Sequence, residues 1–425
     1  MKKAVLLLGM VTLIAGCIYL KNADKDTVLF KQQIEEEVVY AEEYPIEYTE
    51  EIIKTEEVEI KDIEEDITAE NITASQEDAF AISENTEVTK KNIEGYIFPC
   101  LSPEEQKVYV EILNSLLSYE TETELSTTDS AVIAKAFKCV MLEHPEIFFV
   151  DGYKYTEYTS NGNVEKIIFS GKYLYEKEEI LTRKSRIEEA AAKILVGVPD
   201  TLDEYYKVKY IYDTLVTQTE YDIQAVDNQN ICSVFLNGKS VCQGYAKAIQ
   251  YLLQKINIRS MLVMGTVTGG DGHAWNLVSV NGKWYYLDAT WGDAFYFFSG
   301  ENEAVSSEIA MINYDYFCVT TEQIMQTHSV DMPVELPVCS SMEDNYYVRE
   351  GLYFMSFDES GIRKAFHKAL ESGQNAVTIK CSEQSVYEEM CRVLLTEQQI
   401  FEYLNSDSPV AYTDDEKQYS LTFWL

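Results

Sequence analysis

Residues 237–256 read NGKSVCQGYAKAIQYLLQKI and residues 273–291 read HAWNLVSVNGKWYYLDATW, and these two stretches decide the fold. Counting from Cys242, the apolar residues recur at spacings of four and three: Ala246, Ile249, Leu253 and Ile256. That spacing predicts one face of a helix. Because a helix start offers free amide groups and partial positive charge, Cys242 in the first turn is favoured as a thiolate nucleophile.

The second stretch predicts a β-hairpin. Asn281-Gly282 separates two β-prone runs, 273–280 and 283–291, and this dipeptide is typical of a two-residue type I′ turn. With such a turn, Val280 pairs with Lys283, which fixes the register of the whole ribbon.

This register brings an acid next to a histidine. Trp275 then faces Asp288, and His273 faces Thr290, so that His273 and Asp288 become diagonal neighbours on one face. Their backbones would be about 7–8 Å apart, close enough for the side chains to meet. A bulge in either strand would shift the register and separate them.

The same face carries large apolar residues: Trp275, Leu277, Trp284 and Tyr286. We expect the Cys242 helix to cover this face and so to bring the thiol to His273. Cys242 would then be the nucleophile, His273 the general base and later the acid, and Asp288 the group that orients the imidazole. Taken singly, each of the three residues has a structural interpretation, including a disulfide between Cys242 and Cys232.

Three motifs resemble the core of the bacterial transglutaminase-like superfamily: GKSVCQGYA from Gly238, HAWN from His273 and WYYLDATW from Trp284. The resemblance covers residues 205–295. It implies a papain-like α+β fold with a helix packed on an antiparallel sheet, the triad Cys242, His273 and Asp288, and a thioester acyl-enzyme. Peptide hydrolysis, glutamine deamidation and Gln–Lys crosslinking all occur among such proteins. A catalytically inactive binding or cell-surface scaffold module is the alternative.

Three aromatic residues are candidates for the substrate groove, namely Trp275, Trp291 and Tyr245, although Trp275 fits a packing role better. The amide of Cys242 is the one oxyanion donor that the sequence identifies. We expect no cofactor and no metal, because the cysteines and histidines lack zinc-finger spacing and no acidic loop has EF-hand spacing. His144, His328 and His367 are interpreted as a helix-end residue and two surface residues.

The N-terminus predicts export. Lys2 and Lys3 precede an uncharged run, and Ile14-Ala15-Gly16-Cys17 resembles the lipobox of bacterial lipoproteins. We therefore predict a signal peptide at 1–17, lipidation of Cys17, and a location on the outer face of the cell membrane. An uncleaved signal anchor and plain secretion remain alternatives.

The net charge of −38 excludes nucleic acid as a partner, since phosphate binding needs a basic surface. A protein or peptide substrate is expected, and a cell-wall component is a second candidate partner. Residues 18–95 hold 23 acidic and 7 basic residues, which predicts an extended, self-repelling tether.

Four further segments complete the predicted organisation: an N-terminal α+β domain at 96–200, the catalytic core at 201–300, a connector at 301–344 and a small α+β domain at 345–425. In the last, the pattern predicts the order β-α-β-α-β-β, beginning with a strand at 346–355. An exported location would permit the eight cysteines after Cys17 to form disulfides.

Overall fold

The computed structural model describes residues 95–160, 163–299, 306–404 and 411–425, and before them only the backbone of five short strands. These are β1 to β5: Val11–Thr12, Cys17–Tyr19, Val28–Phe30, Ile34–Glu36 and Thr49–Lys54. Apart from them, the predicted signal peptide, the lipidation of Cys17 and the tether lie outside the described residues. Within the described part, no helix is both long and apolar enough to span a membrane.

The first large part alternates helices and strands. After a short 3-10 turn, Phe98–Cys100, come α1 Pro103–Ser118, β6 Thr123–Leu125, α2 Ser130–Glu143, β7 Val150–Ser160, β8 Asn163–Tyr173 and α3 Lys177–Leu195. Helix α1 begins after Ser102, and Pro103, Glu104 and Glu105 lie in its first turn. The Ser102 side chain accepts from the Glu105 amide, and the Glu105 carboxylate accepts from the Ser102 amide at 2.8 Å. This capping box satisfies two amides that the helix start leaves open.

Of two strands that the sequence indicates in this part, one is misplaced. The strand predicted at 147–150 is wrong except at its last residue, because β7 begins at Val150, whereas the strand predicted at 166–169 lies within β8. Strands β7 and β8 pair antiparallel within a sheet of order β5-β7-β8-β6. Helix α2 ends before His144-Pro145, which agrees with the interpretation of His144 as a helix-end residue.

The central part contains the two stretches that decide the fold. Its helices and strands are α4 Glu204–Gln218, β9 Glu220–Tyr221, β10 Lys239–Ser240, α5 Cys242–Lys255, β11 Ser260–Val267, β12 Gly272–Val280, β13 Lys283–Leu287, β14 Asp293–Ser299, β15 Ser306–Ile312, β16 Phe317–Val319, α6 Thr321–Ile324 and β17 His328–Val330. A π-helical turn, Ser233–Asn237, precedes β10. Five strands form an antiparallel sheet of order β16-β13-β12-β11-β17.

Helix α5 is the central helix of this α+β fold. Every residue from Cys242 to Leu253 is buried, including the polar Gln243, Lys247 and Gln250. The Gln250 side chain donates to the carbonyl oxygen of Leu142 at 2.9 Å, so that α5 is tied to the end of α2 as well as to the sheet. A helix surrounded in this way has little freedom to shift its first turn.

The last part contains α7 Tyr346–Glu350, β18 Tyr353–Phe354, α8 Glu359–Glu371, β19 Ala376–Cys381, α9 Gln384–Met390, α10 Ile400–Leu404, β20 Tyr412–Asp415 and β21 Ser420–Trp424, with a π-helical turn Cys391–Thr396 after α9. The strand predicted at 346–355 is wrong in its first half. Asn345 caps α7 by accepting from the Tyr347 amide, and Gly351 ends it in the left-handed region. Local capping outweighs the β-prone tyrosines.

Two large hydrophobic clusters contain most of the buried core of the described residues, and a third, small cluster surrounds Trp424. The first runs from Ile97 to Cys339 and the second from Phe354 to Phe423. The first cluster is continuous across residue 200, where the sequence suggests a domain boundary. The predicted boundaries stay predictions.

The described cysteines form no disulfide, Cys242 and Cys232 included. Both thiols are buried, and this structure therefore gives no support to the interpretation of Cys242 as half of a structural bridge.

Candidate active site

The first turn of α5 is held by the chain on both sides of Cys242. Val241 is the extended residue before the helix, and its amide donates to the Asn228 carbonyl oxygen at 3.3 Å. The Ser240 hydroxyl donates to the same carbonyl at 2.9 Å. A Cβ at Gly244 would lie 1.9 Å from Ser240 Oγ, so only glycine allows this close approach. Cys242 is therefore fixed at the helix start, with the amides of the first turn beside its thiol.

Tyr245 anchors the same turn from the other side. Its hydroxyl oxygen lies 2.6 Å from the Thr219 carbonyl oxygen and 2.8 Å from Asp293 Oδ2, and its single proton is shared between these two acceptors. Burial raises the pKa of Asp293 to about 6. Tyr245 is itself completely buried. Contrary to the prediction, it lines no groove open to substrate and instead holds the helix start in place.

The hairpin register is confirmed. Pairing runs from Val280 with Lys283 to Asn276 with Leu287, and no bulge interrupts it. Asn281 and Gly282 have φ of 50° and 81°, as a type I′ turn requires. Strand β13 ends at Leu287, so that Asp288 lies just beyond the ladder.

His273 joins the thiol to the carboxylate. It is the second residue of β12, and its Nε2 lies 2.7 Å from Asp288 Oδ2. The imidazole also forms a side-chain hydrogen bond with Cys242. Because an ionised carboxylate can only accept, Nε2 carries the proton, and Nδ1 is left to face the thiol. The three residues predicted from sequence are thus brought together in one hydrogen-bonded row.

Helix α5 packs on a different face of β12 from the one that the sequence analysis predicts. Asn276 Nδ2 donates to the Ala246 carbonyl oxygen at 2.9 Å, so α5 packs on the Asn276 side of β12. Successive strand residues point to opposite faces, which places Trp275 and His273 on the other side. The prediction that α5 covers the Trp275 face is therefore wrong. Because β13 ends at Leu287, no β13 residue pairs with His273 on that side of β12.

Asp288 is completely buried and has four hydrogen-bond donors. Oδ1 accepts from the amides of Thr290 at 2.9 Å and Trp291 at 3.2 Å, while Oδ2 faces His273 and His328. Burial alone would raise the pKa of Asp288, but the two histidines outweigh it and hold that pKa well below its usual value. The buried group therefore stays a carboxylate.

Asp288 has the opposite effect on the pKa of His273. Burial would lower the pKa of the imidazole, yet the charge and hydrogen bond of Asp288, with a further contribution from Cys242, raise it well above its usual value. A protonated imidazole beside a thiol stabilises the thiolate.

His328 is the site residue that the sequence analysis missed. The prediction of a surface histidine in helical context is wrong. His328 begins β17, its side chain is fully buried, and its Nε2 lies 3.1 Å from Asp288 Oδ2. Its Nδ1 lies 2.8 Å from Thr327 Oγ1. A three-residue strand gives too short a pattern to be recognised, and no spacing links position 328 to 288.

The other two histidines lie as expected. His144 follows the last residue of α2 and hydrogen-bonds to Tyr109 and Glu146. His367 is exposed on α8 and pairs with Glu371.

Aromatic rings enclose the two site histidines. Trp275 is completely buried, with its ring centroid 5.9 Å from His273 and 4.8 Å from His328. It therefore packs and, contrary to the groove prediction, faces no open channel. Trp291 is half-buried, 4.7 Å from His328 and 4.8 Å from Tyr316. Of the three groove candidates, Trp291 is the one with an exposed fraction that a substrate could touch.

His273, Asp288 and His328 form the one potential metal-binding group among the described residues. Donor atoms of His273, Asp288 and His328 lie within 4.8 Å of one another. Hydrogen bonds already account for these short separations. An ion here would take the Nε2 position of His273 and remove the proton that orients the ring.

The comparison with protein families identifies residues 190–289 as a domain of the Transglutaminase-like superfamily. Cys242, His273 and Asp288 all lie within this range. The chain therefore carries a transglutaminase-like domain on an α+β fold, as the three motifs indicate.

Known proteins show more distant likenesses. Kyphoscoliosis peptidase from Homo sapiens is 24% identical over 156 residues, which are 33% of this chain and 22% of that protein. This chain thus matches only about a fifth of that relative's length. A TGase crystal structure is 16% identical with a TM-score of 0.25, covering 37% of this chain and 53% of the other. The periplasmic domain of TgpA from Pseudomonas aeruginosa, bound to ethylmercury, is 16% identical with a TM-score of 0.21, covering 31% and 59%.

Proposed function

We propose that this protein is a thiol acyl-transfer enzyme that acts on peptide or glutamine side-chain amides. One observation carries the proposal: the hydrogen-bonded row from Cys242 through His273 to Asp288 at the start of a buried helix. This row supports the proposal, because acyl transfer through a thiol needs a nucleophile, a base and an acid that orients the base.

In the first half-reaction the Cys242 sulfur attacks the carbonyl carbon of the amide. The thiol proton already lies on Nδ1 of His273 in the thiolate–imidazolium pair, and the carbonyl electron pair moves onto oxygen. The Cys242 amide at the helix start is the donor we assign to that oxyanion. When the tetrahedral intermediate collapses, the C–N bond breaks, His273 returns its proton to the departing amine or ammonia, and a thioester remains on Cys242.

In the second half-reaction His273 takes a proton from the acceptor. Water as acceptor gives a carboxylic acid, which is hydrolysis or deamidation. A primary amine gives a new amide, which is crosslinking. Sulfur leaves as thiolate in both cases and the imidazolium is restored beside it. Asp288 stays ionised throughout and holds the ring in the tautomer that the transfer needs.

We also propose that the reaction takes place outside the cytoplasm, at the outer face of the cell membrane. The support comes from the signal pattern at 1–17 and the lipobox-like sequence ending at Cys17. The acidic segment 18–95 would hold the folded part away from the membrane surface. Detection of a lipid on Cys17 by mass spectrometry of the mature protein tests this.

The substrate test uses a glutamine-donor peptide library, with and without a lysine acceptor, read by mass spectrometry. Ammonia release alone means deamidation, a joined product means crosslinking, and shorter peptides mean proteolysis. Cys242→Ala should abolish all three outcomes. Cys232→Ala is the matched control, because Cys232 is also a buried thiol and burial raises its pKa to about 12.

Absence of all three products with the wild-type chain contradicts the proposal. It would favour the alternative of a binding or scaffold module on the same fold.

A further inference from the structure

Two histidines share one oxygen of Asp288. His273 Nε2 lies 2.7 Å and His328 Nε2 lies 3.1 Å from the same Oδ2 atom. A single carboxylate oxygen can accept from both, provided that each imidazole carries its proton on Nε2. The reaction described above uses one of these histidines and gives the other no task.

The other ring nitrogen of His328 meets a hydroxyl group. Thr327 Oγ1 lies 2.8 Å from Nδ1 and 3.5 Å from the Ile324 carbonyl oxygen. When the hydroxyl donates to Nδ1, the ring proton is on Nε2 and points to Asp288. The side chain of His328 is fully buried and packed between Trp275 and Trp291, so it cannot turn to another partner.

His328 also comes from a separate part of the chain. It begins β17, which pairs with β11 at the edge of the sheet, 40 residues after Asp288. The carboxylate therefore lies between two imidazoles that different strands position independently. Its other oxygen is held by the Thr290 and Trp291 amides.

We propose that His328 is a positioning residue of this site: its Nε2–H fixes the Asp288 carboxylate and shares the negative charge that would otherwise act on His273 alone. The inference rests on the proposed function, because it assigns His328 a role through the His273 base. By taking part of the charge, His328 limits how strongly His273 holds its proton, which the base must later return to the leaving group.

Among the described residues, three ionisable side chains lie against the His328 ring. They are His273 from β12, Asp288 from the segment after β13 and Tyr316 before β16. Burial and the charge on His273 lower the pKa of His328 against the opposing effect of Asp288. His328 is thus neutral while His273 is protonated. A neutral imidazole can donate its Nε2–H to Asp288 without adding a positive charge of its own.

The test follows alkylation of Cys242 by iodoacetamide in the full chain as a function of pH. The rate rises in an alkaline step when the imidazolium beside the thiolate loses its proton. His328→Phe removes the donor and should move this step to higher pH by about half a unit or more. His328→Gln keeps an N–H near the Nε2 position and should restore the wild-type midpoint.

Thr327→Val provides a second variant should His328→Phe fail to fold. It keeps the imidazole but removes the hydroxyl that selects the tautomer, and should shift the step in the same direction. Thermal melting of each variant identifies those that fold. An unchanged or lowered midpoint in the folded donor-deficient variants overturns the role of His328. Wild-type Cys242 that alkylates no faster than the exposed Cys100 instead overturns the proposed function itself.

Discussion

The side-chain amide of Asn276 donates a 2.9 Å hydrogen bond to the main-chain oxygen of Ala246, and this contact joins the central helix to the central strand. It is completely buried. Because Asn276 lies three residues after His273 and Ala246 four residues after Cys242, the bond sets the position of the nucleophile relative to the base.

Asn276→Ala should lower the free energy of unfolding by about 1–3 kcal/mol, since a buried hydrogen bond is lost and a small void is left. Denaturant titration of the full chain measures this. Activity should fall in the same variant, because α5 can then slide along the sheet. Ser279→Ala, on the opposite face of the same strand, should change both quantities less. Equal effects of the two substitutions would contradict a special role for the Asn276 contact.

Gly244→Ala should reduce activity strongly. The added Cβ would lie 1.9 Å from Ser240 Oγ and 2.7 Å from the Asn228 carbonyl oxygen, so the first turn of α5 must move. Gly361→Ala is the matched control near the start of α8, where the closest atom is the end of the Asp358 side chain. Alanine favours a helix over glycine, so the control should be neutral or slightly stabilising. Full activity of Gly244→Ala would show that the helix start is not rigidly placed.

Asp288→Asn should lower activity about 10³- to 10⁴-fold while the fold is kept, because the imidazolium loses its counter-charge and its tautomer is no longer fixed. The pKa of His273 should fall, and titration of its ring signals by NMR measures that change. A pKa of His273 that is unaltered by Asp288→Asn would show that Asp288 does not control the base.

The interaction between Asp288 and His273 also makes the free energy of unfolding depend on pH. The pKa of Asp288 in the folded chain is lowered, so its contribution is present above the ordinary aspartate pKa of about 3.9 and is lost as the pH falls through the lowered value. The raised pKa of His273 contributes fully only below the ordinary histidine pKa of about 6.5. The difference in unfolding free energy between wild type and Asp288→Asn should therefore be largest between about pH 4 and pH 6.5 and shrink at lower pH. A difference that stays constant from about pH 6 to pH 3 would contradict this assignment.

The C-terminal part also supports the site. Lys380 Nζ lies 2.7 Å from Asp315 Oδ1, and the neighbouring Tyr316 accepts from the Asp288 amide at 3.0 Å. Lys380→Met leaves Asp315 nearly buried without its cation and should cost about 3 kcal/mol, with a loss of activity. Lys368→Met breaks an exposed pair with Glu350 and should cost less than about 1 kcal/mol. Calorimetry and turnover of the two variants test whether β19 stabilises the site.

Much of the site could be predicted because its signals are local. The turn Asn281-Gly282 fixes the register of a hairpin, and the register alone brings His273 near Asp288. The helix start at Cys242 is likewise encoded by the spacing of apolar residues that follow it. Both arguments need only neighbours in the chain, and the structure agrees with both.

The predictions that were wrong depend on contacts between residues that are far apart in the sequence. Both faces of β12 are apolar, so composition did not show which face α5 covers; the buried amide of Asn276 settles it. His328 is brought to Asp288 by the pairing of β17 with β11, which a three-residue strand does not reveal. Tyr245 resembles a groove residue in sequence, yet its hydroxyl is used to anchor the helix.

The most direct test of the central claim compares alkylation of the thiols by iodoacetamide at pH 6, followed by peptide mapping. If His273 holds Cys242 as a thiolate, Cys242 should be modified faster than the exposed Cys100, although Cys242 itself is almost completely buried. His273→Ala should abolish that advantage. If Cys242 reacts no faster than Cys100, or keeps its rate without His273, the proposed thiol chemistry is contradicted.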